Sequence, residues 1–274
     1  MTAPPATGAD LTSWRVDISD PELDPRWAAN YDQENRWDQD DEFYLALAAE
    51  RPGCRVVDLG CGTGRLTIAL ATAGHPVVGV DPNPAFLAIA AGKGGSERVA
   101  WVRGTSRDLP SGAFDLALMT SHVAQVFITD WEWVEVLGDM RRALAPGGVL
   151  AFESRHPAYR AWERWADAWD GVRREVLADG TVVDMYTTTT FVDDVFTADS
   201  ASVLSDGTED HRPVEQALAP GTTWSRARWS YRFRSPELIR RSLEEAGFRV
   251  ERMLGGWQGE PLGQGDEIVV VASR

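Results

Sequence analysis

The stretch VVDLGCGTGRLTIAL, residues 56–70, has the pattern that decides the fold. Residues 56–59 form an apolar run typical of a strand that is buried on both faces. Residues 65–70 place apolar side chains at helical spacing, and the segment between these runs has glycine at every second position: Gly60, Gly62 and Gly64. Glycine suits a backbone that turns at positive φ or lies against a ligand, and the first N–H groups of a helix are unpaired. The stretch therefore predicts a strand, a tight turn and a helix whose N-terminus faces a ligand.

The spacing of the glycines distinguishes between cofactors. A dinucleotide-binding turn has the pattern G-x-G-x-x-G, but the sixth position counted from Gly60 is Arg65. The pattern present is D-x-G-x-G-x-G, which resembles the first motif of class I S-adenosylmethionine-dependent methyltransferases. That resemblance implies that the cofactor is held by the residues of this turn: Asp58, Gly60, Cys61, Gly62 and Gly64.

Composition limits the class of partner and the location. The 274 residues are enough for one large domain or for a domain with an insertion. A net charge of −15 argues against nucleic acid and anionic membranes as partners, because both attract basic surfaces. The two cysteines, Cys54 and Cys61, form neither a disulfide framework nor a metal-binding spacing. With neither a signal-peptide pattern nor an apolar run of spanning length, we expect a cytoplasmic protein without a metal.

The N-terminal region differs in composition from the rest of the chain. Residues 1–12 are rich in Ala, Pro and Thr, and we expect them to be disordered. The remainder of residues 1–37 contains Trp27, Tyr31 and Trp37 and is predicted to be a helical lead-in or lid. Residues 38–274 are predicted to form the methyltransferase domain.

A second buried strand, residues 77–80, ends at Asp81, which follows Gly60 by 21 residues. An acid at this place can accept hydrogen bonds from both ribose hydroxyls of a nucleoside. Pro82 follows it, and Asn83 is predicted to cap the next helix. The alternative is that Asp81 only ends the strand in an Asp-Pro turn.

The segment after the third strand, residues 99–102, departs from the family pattern. In class I methyltransferases this segment usually reads G-D-A-x-D-L-P, and its first acid binds the adenine amino group. Here Thr105 stands in the place of that acid and Ser106 follows it. The resemblance implies that Thr105 and the Ser106 backbone contact adenine, and Asp108 is the alternative, unless it only forms the turn.

The fourth strand, residues 114–120, leads into M-T-S-H-V-A-Q, which resembles a stretch of bacterial small-molecule methyltransferases. Ligands of open α/β sheets bind at the carboxyl ends of strands. The resemblance therefore implies that Thr120 and Ser121 contact the cofactor and that Gln125 contacts the acceptor. His122 is a candidate base or a neighbour of the sulfonium, and the alternative is a structural histidine.

Further matches lie in the second half of the chain. R-x-L-x-P-G-G precedes a fifth strand, residues 149–152, and EEAGFRVERMLGGW resembles the ending of the same family. The candidate residues near the predicted mouth are divided between two roles. The catalytic candidates are Tyr31, His122 and His156, and the acceptor-binding candidates are Trp37, Gln125, Glu153 and Arg155.

Aromatic residues mark the remaining segments. Trp162, Trp165 and Trp169 share one helical face, which predicts either a core stripe or a wall of the acceptor site. Residues 171–233 are rich in Val, Thr, Tyr and Phe and are predicted to be an antiparallel β insertion over the strand ends. Its near-alternating aromatic residues, which suit either sheet packing or a pocket wall, are Trp224, Trp229, Tyr231 and Phe233.

The predicted fold is α/β: a Rossmann-like, seven-stranded, mostly parallel sheet with helices on both faces and an antiparallel β insertion. The resemblance implies methyl transfer from S-adenosylmethionine to an O or N atom of a small-molecule acceptor, by a monomer or homodimer. One alternative is an NAD(P)-dependent oxidoreductase, which the glycine spacing and the lack of a Y-x-x-x-K pair disfavour. The other is a non-catalytic regulatory protein that binds S-adenosylmethionine.

Overall fold

The computed structural model describes residues 31–32, 35–177, 179–205 and 225–274. Within them, seven strands form one sheet in the order β10-β11-β5-β4-β1-β2-β3. These strands are β1 (Val56–Leu59), β2 (Val77–Asp81), β3 (Val99–Arg103), β4 (Phe114–Met119), β5 (Leu144–Arg155), β10 (Arg249–Leu254) and β11 (Glu267–Ser273). The predictions for residues 1–30, including the disorder of residues 1–12 and the place of Trp27, lie outside the described residues, as does Trp224.

The direction of the strands places the candidate site. Strand β1 pairs in parallel with β2 on one side and with β4 on the other, so the chain order reverses at β1. Strand β11 runs antiparallel to both β5 and β10. Open α/β sheets bind ligands at such a reversal, beyond the carboxyl ends of the parallel strands. Because β11 is antiparallel, its first residues lie at this same edge.

The helices cover both faces of this sheet. They are α1 (Gln39–Ala49), α2 (Arg65–Thr72), α3 (Pro84–Gly92), α4 (Asp130–Ala143), α5 (Ala161–Trp169) and α6 (Pro236–Glu245). Side chains of α4 and α6 pack with Val57 in one buried cluster, whereas side chains of α1 and α2 pack with Val56 in another. Successive strand residues point to opposite faces, so the apolar run of β1 contributes to both clusters.

The predicted insertion forms a second, four-stranded antiparallel sheet in the order β6-β7-β8-β9. Its strands are β6 (Gly171–Val176), β7 (Val182–Val192), β8 (Val195–Leu204) and β9 (Ser225–Arg232). Helix α5 packs against it: Trp162 stacks on Phe191 at 4.1 Å between ring centroids, and Trp165 meets Phe196 edge-on at 5.2 Å. The α5 indoles therefore pack together with the second sheet, as the core-stripe interpretation predicted. None of the described helices is long and apolar enough to cross a bilayer.

Candidate active site

The three glycines after β1 all have positive φ, of 77°, 53° and 76°, but they meet different surroundings. A Cβ on Gly60 would lie 2.5 Å from Cγ2 of Val123, and a Cβ on Gly64 would lie 2.5 Å from a ring carbon of Trp101. A Cβ on Gly62 would meet no protein atom within 4 Å. Packing therefore requires the first and third glycine, whereas the second faces open space in which a ligand can lie against the backbone.

Two buried carboxylates support this turn. Asp81, at the end of β2, accepts hydrogen bonds from the Gly62 N–H at 2.9 Å and from the Asn83 N–H at 2.8 Å, and burial raises its pKa. Asp58 accepts a hydrogen bond from the Thr67 hydroxyl at 2.6 Å, and burial raises its pKa to about 6. Its other oxygen, Oδ1, is buried and has no hydrogen-bond partner among the described residues. Both acids thus lie beside the glycine-rich turn, with the half-buried Cys61 and Pro82 next to them, and the cofactor contacts of these residues stay predictions.

The segment after β3 is arranged by capping interactions. Asp108 accepts hydrogen bonds from the Thr105 N–H at 2.8 Å and from its hydroxyl at 3.3 Å, which caps a short helical turn. The Ser106 hydroxyl donates to Asp139 of α4 at 2.8 Å. Asp108 therefore has the turn-forming role that the sequence left open, and the adenine contacts of Thr105 and Ser106 stay predictions.

The turn after β4 has an uncommon backbone. Ser121 and His122 both adopt left-handed φ values, 54° and 63°, which cost a non-glycine residue roughly 1–2 kcal/mol each. The His122 N–H donates to Oε1 of Glu153 at 2.6 Å, and the buried Thr120 precedes the turn. The hydrogen bond to Glu153 therefore holds His122 in a conformation that it rarely adopts by itself.

The His122 side chain forms an ion pair or hydrogen bond that the sequence analysis did not foresee. Its Nε2 lies 2.9 Å and 3.0 Å from the two carboxylate oxygens of Glu267. Burial lowers the pKa of His122 to about 3 and raises the pKa of Glu267 to about 7. We therefore assign a neutral imidazole at pH 7 that donates its Nε2 proton to Glu267. Glu267 is the first residue of the antiparallel strand β11. The sequence signal that could have placed it at the carboxyl edge of the sheet is an acid at the start of that last strand.

Glu153 lies behind His122 and away from solvent. Its side chain is 0% exposed, and Oε2 accepts a hydrogen bond from the hydroxyl of Tyr44 in α1. Burial raises the pKa of Glu153 to about 7 and also raises that of Tyr44. Glu153 was predicted to bind the acceptor, but the structure places it beneath the turn, where its described contacts position His122.

A cavity of about 1020 Å³ lies between the carboxyl edge of the first sheet and the second sheet. The first sheet contributes Ser121, His122, Arg155 and Glu267 to its wall. The second sheet contributes one face, which includes Met185, Thr187, Ser200, Ser202 and Ala227. Trp169, Trp229 and Tyr231 also line it, so these aromatic residues serve both packing and cavity wall.

The described part of the lead-in closes one side of this cavity. Tyr31 and Trp37 line it, and the Tyr31 ring lies 5.1 Å from that of Phe86. Burial raises the pKa of Tyr31 to about 12. Asp32 accepts a hydrogen bond from the Thr63 hydroxyl at 2.5 Å and pairs with Lys93 at 2.7 Å. The lead-in is therefore attached directly to the glycine-rich turn.

Three of the predicted residues, Gln125, Arg155 and His156, lie at or after the ends of β4 and β5 and have different surroundings. Gln125 is fully buried, and its Oε1 accepts a hydrogen bond from Nη1 of Arg155 at 3.0 Å. It therefore holds a residue of the cavity wall and is not one of the described wall residues itself. The ring nitrogen Nδ1 of His156 accepts from the Ala158 N–H at 3.2 Å, which caps a short turn outside the described cavity wall. No described contact brings His156 to the other catalytic candidates.

Four features together define a class I S-adenosylmethionine-dependent methyltransferase fold: the strand order, the antiparallel last strand, the glycine-rich turn after β1 and the acid at the end of β2. Residues 56–148 match the family described as "Methyltransferase domain". This match agrees with the family to which the sequence was compared, over residues 56–148, and the rest of the sheet has the fold of these methyltransferases.

The chain is similar to several known proteins. It is 35% identical over 112 residues to an uncharacterized methyltransferase of Synechocystis sp., a match that covers 41% of this chain and 52% of that protein. It is 38% identical over 112 residues to trans-aconitate 2-methyltransferase of Deinococcus radiodurans, covering 39% of this chain and 40% of that protein. The chain thus spans about half the length, or less, of these curated relatives. A solved S-adenosylmethionine-dependent methyltransferase from Clostridium acetobutylicum shares the fold, with a TM-score of 0.65, 17% identity and coverage of 90% of this chain and 97% of that one.

Proposed function

We propose that this protein transfers the methyl group of S-adenosylmethionine to an O or N atom of a small-molecule acceptor. The observation that carries the proposal is the cavity above the carboxyl edge, whose wall includes the turn that follows β4 in the cofactor-binding half of the sheet. A volume of about 1020 Å³ is in the range of, or slightly above, pockets that enclose small molecules. The D. radiodurans relative, by its name, acts on trans-aconitate, which supports a small-molecule acceptor for this chain.

The residues present fit the cofactor. The open space at Gly62 and the orphaned Oδ1 of Asp58 are features that a ligand at the turn would use. Asp81 would hold the ribose, and the remaining candidates for contact follow β3 and β4: Thr105, Ser106, Thr120 and Ser121. When bound, S-adenosylmethionine supplies a methyl group that its sulfonium already activates.

The protein itself then orients the acceptor, excludes water and takes up a proton where one is released. Holding the reacting groups in line supplies several kcal/mol, and the described part of the lead-in, next to the glycine-rich turn, would help to exclude water. A hydroxyl or protonated amine must also lose a proton. With Nε2–H donated to Glu267, Nδ1 of His122 carries the free lone pair. Because burial lowers the pKa of His122 to about 3, the proton is taken up there only when Glu153 is ionised, since the charge of Glu153 raises that pKa. The imidazolium is then stabilised by Glu267 and by Glu153, whose Oε1 lies 4.0 Å from Nδ1.

The test combines binding and turnover. Calorimetry with S-adenosylmethionine and S-adenosylhomocysteine measures the cofactor site, and transfer of a radiolabelled methyl group to a panel of small hydroxyl, amine and carboxylate compounds measures the reaction. Binding followed by transfer to at least one acceptor is the expected result. Absence of cofactor binding refutes the proposal, and binding without transfer to any acceptor favours the regulatory alternative.

A deletion tests the role of the lead-in in the acceptor site. We propose that residues 1–37 form a lid that completes the acceptor site, as the contacts of Tyr31, Asp32 and Trp37 indicate. A chain lacking residues 1–37 is expected to retain cofactor binding and to lose transfer. Full transfer activity in the folded truncated chain would remove the lead-in from the acceptor site.

A further inference from the structure

The arginines of the cavity wall differ in their partners. Three of them lie close to a carboxylate: Arg65 pairs with Asp41 at 2.8 Å, Arg173 with Glu175 at 2.8 Å, and Arg228 with Asp199 at 2.5 Å. Arg155 has no carboxylate oxygen within 4.0 Å of its guanidinium among the described residues. Arg155 therefore makes no direct ion pair with the described residues, and the carboxylates that act on it, Glu267, Glu153 and Asp266, do so from beyond that distance.

The guanidinium of Arg155 is held in place without being neutralised. Gln125 binds its Nη1, and the rings of Trp165 and Tyr231 lie 4.6 Å and 5.8 Å from it. Burial lowers the pKa of Arg155, while more distant acids, Glu267 among them, raise it. The Nε and Nη2 atoms of Arg155 donate to none of the described residues. These two N–H groups lie on the same side of the guanidinium, with the spacing that a carboxylate needs to accept two parallel hydrogen bonds.

The nearest acid of the sheet raises the pKa of Arg155 through its charge but makes no direct contact with the guanidinium. Glu267 lies directly opposite Arg155 in the β5–β11 pairing, so the two side chains start from neighbouring positions. Both oxygens of Glu267, however, are within 3.0 Å of Nε2 of His122, and none is within 4.0 Å of Arg155. The pairing also shows that Arg155 lies beside the His122–Glu267 pair.

We propose that the methyl acceptor carries a carboxylate and that Arg155 binds it. This inference rests on the proposed function, because it names the chemistry of the acceptor in the same cavity. A carboxylate fits better than a phosphate, since one unpaired arginine balances a single negative charge and the arginines paired above already have counter-ions. The bound carboxylate would place the rest of the acceptor beside His122.

The test uses benzoate as the probe and benzamide as its uncharged match of the same shape. Both are titrated by calorimetry into the full chain, with and without saturating S-adenosylhomocysteine. Benzoate is expected to bind at least about tenfold more tightly than benzamide, a difference of about 1.4 kcal/mol, because charge-assisted hydrogen bonds contribute more than neutral ones. This preference needs no methyl transfer, so it can fail or succeed separately from the proposed function.

Variants identify the residue responsible. Arg155→Met should reduce the preference for benzoate to about twofold or less, whereas Arg155→Lys should keep part of it, because lysine retains the charge without the fork. Arg98→Met is the control: it removes the same single positive charge, but from an exposed side chain, and it should leave the preference for benzoate intact. Equal binding of benzoate and benzamide, or an unchanged preference in Arg155→Met, overturns the proposal.

One further outcome would assign Arg155 to the cofactor. If S-adenosylhomocysteine abolishes benzoate binding and Arg155→Met weakens S-adenosylhomocysteine binding at least about tenfold, the arginine holds the carboxylate of the cofactor itself. That result also overturns the proposal, although it would leave the proposed methyl transfer standing.

Discussion

Replacing Gly62 by alanine separates ligand contact from backbone strain. Gly62 and Gly112 have similar positive φ values, +53° and +66°, and a Cβ on either would meet no protein atom within 4 Å. An alanine in the left-handed region costs roughly 1–2 kcal/mol, so both variants should lose similar stability. For a chain of this size each kcal/mol lowers the melting temperature by about 2–4 °C. The two variants should therefore unfold about 2–8 °C below the wild type.

Only the Gly62 variant should lose cofactor affinity. Its added methyl group lies where the turn would approach the ligand, whereas Gly112 precedes β4 at its amino end, away from the carboxyl edge. Calorimetry with S-adenosylhomocysteine should show binding at least about tenfold weaker in Gly62→Ala and unchanged in Gly112→Ala. Gly60→Ala should be less stable than either, because its Cβ would lie 2.5 Å from Val123. Equal affinities in Gly62→Ala and Gly112→Ala would refute the assignment of the turn.

Three further predictions concern single side chains. Asp81→Ala should weaken S-adenosylhomocysteine binding at least about tenfold by calorimetry, since each charge-assisted hydrogen bond contributes about 1.5–3 kcal/mol before water compensates; an unchanged dissociation constant returns Asp81 to a turn residue. His122→Ala should lower kcat while the melting temperature stays within a few degrees; a large loss of stability with normal specific activity would favour a structural histidine. Asp32→Ala should raise the susceptibility of the lead-in to proteolysis, because it removes the contacts with Thr63 and Lys93; cleavage at the wild-type rate would contradict that attachment.

Local patterns predicted the sheet and the cofactor turn because their causes are local. The apolar run of residues 56–59, the glycine spacing and the helix cap at Asn83 each act within a few residues, and the structure has all three. The alternating β insertion was predicted for the same reason. Sequence did not reveal which glycine faces open space, because Val123 and Trp101, which crowd the other two, come from distant parts of the chain.

The arrangement around His122 depends on contacts that no local spacing encodes. Tyr44 reaches Glu153 across 109 residues, and His122 reaches Glu267 across 145. A sequence pattern located His122 at a strand end but gave no information on its partners. For the same reason Glu153 was predicted to touch the acceptor, although its carboxylate is used beneath the turn.

The buried carboxylate of Glu153 leads to a prediction about stability and pH. Its pKa is about 7 in the folded protein against an ordinary 4.5, so between these pH values the unfolded chain releases a proton that the folded chain keeps. The protonated Glu153 therefore stabilises the folded protein, relative to the ionised form, in full below pH 4.5. This stabilisation is lost as the pH rises through 7, and the loss in the free energy of unfolding is at most about 3 kcal/mol. Glutamine resembles the protonated acid: its oxygen can accept from the His122 N–H, and its amide can donate to the Tyr44 oxygen.

Glu153→Gln should therefore match the wild type in urea unfolding at pH 5 and exceed it at pH 8. Glu153→Ala serves as the control, because it leaves both partners unsatisfied and should be less stable at either pH. A glutamine variant that is equally destabilised at both pH values would show that the carboxylate is ionised throughout. A further outcome is a variant that is more stable at pH 8 and transfers methyl groups more slowly. That result would show that the negative charge of Glu153 stabilises the imidazolium of His122 and lowers the free energy of unfolding.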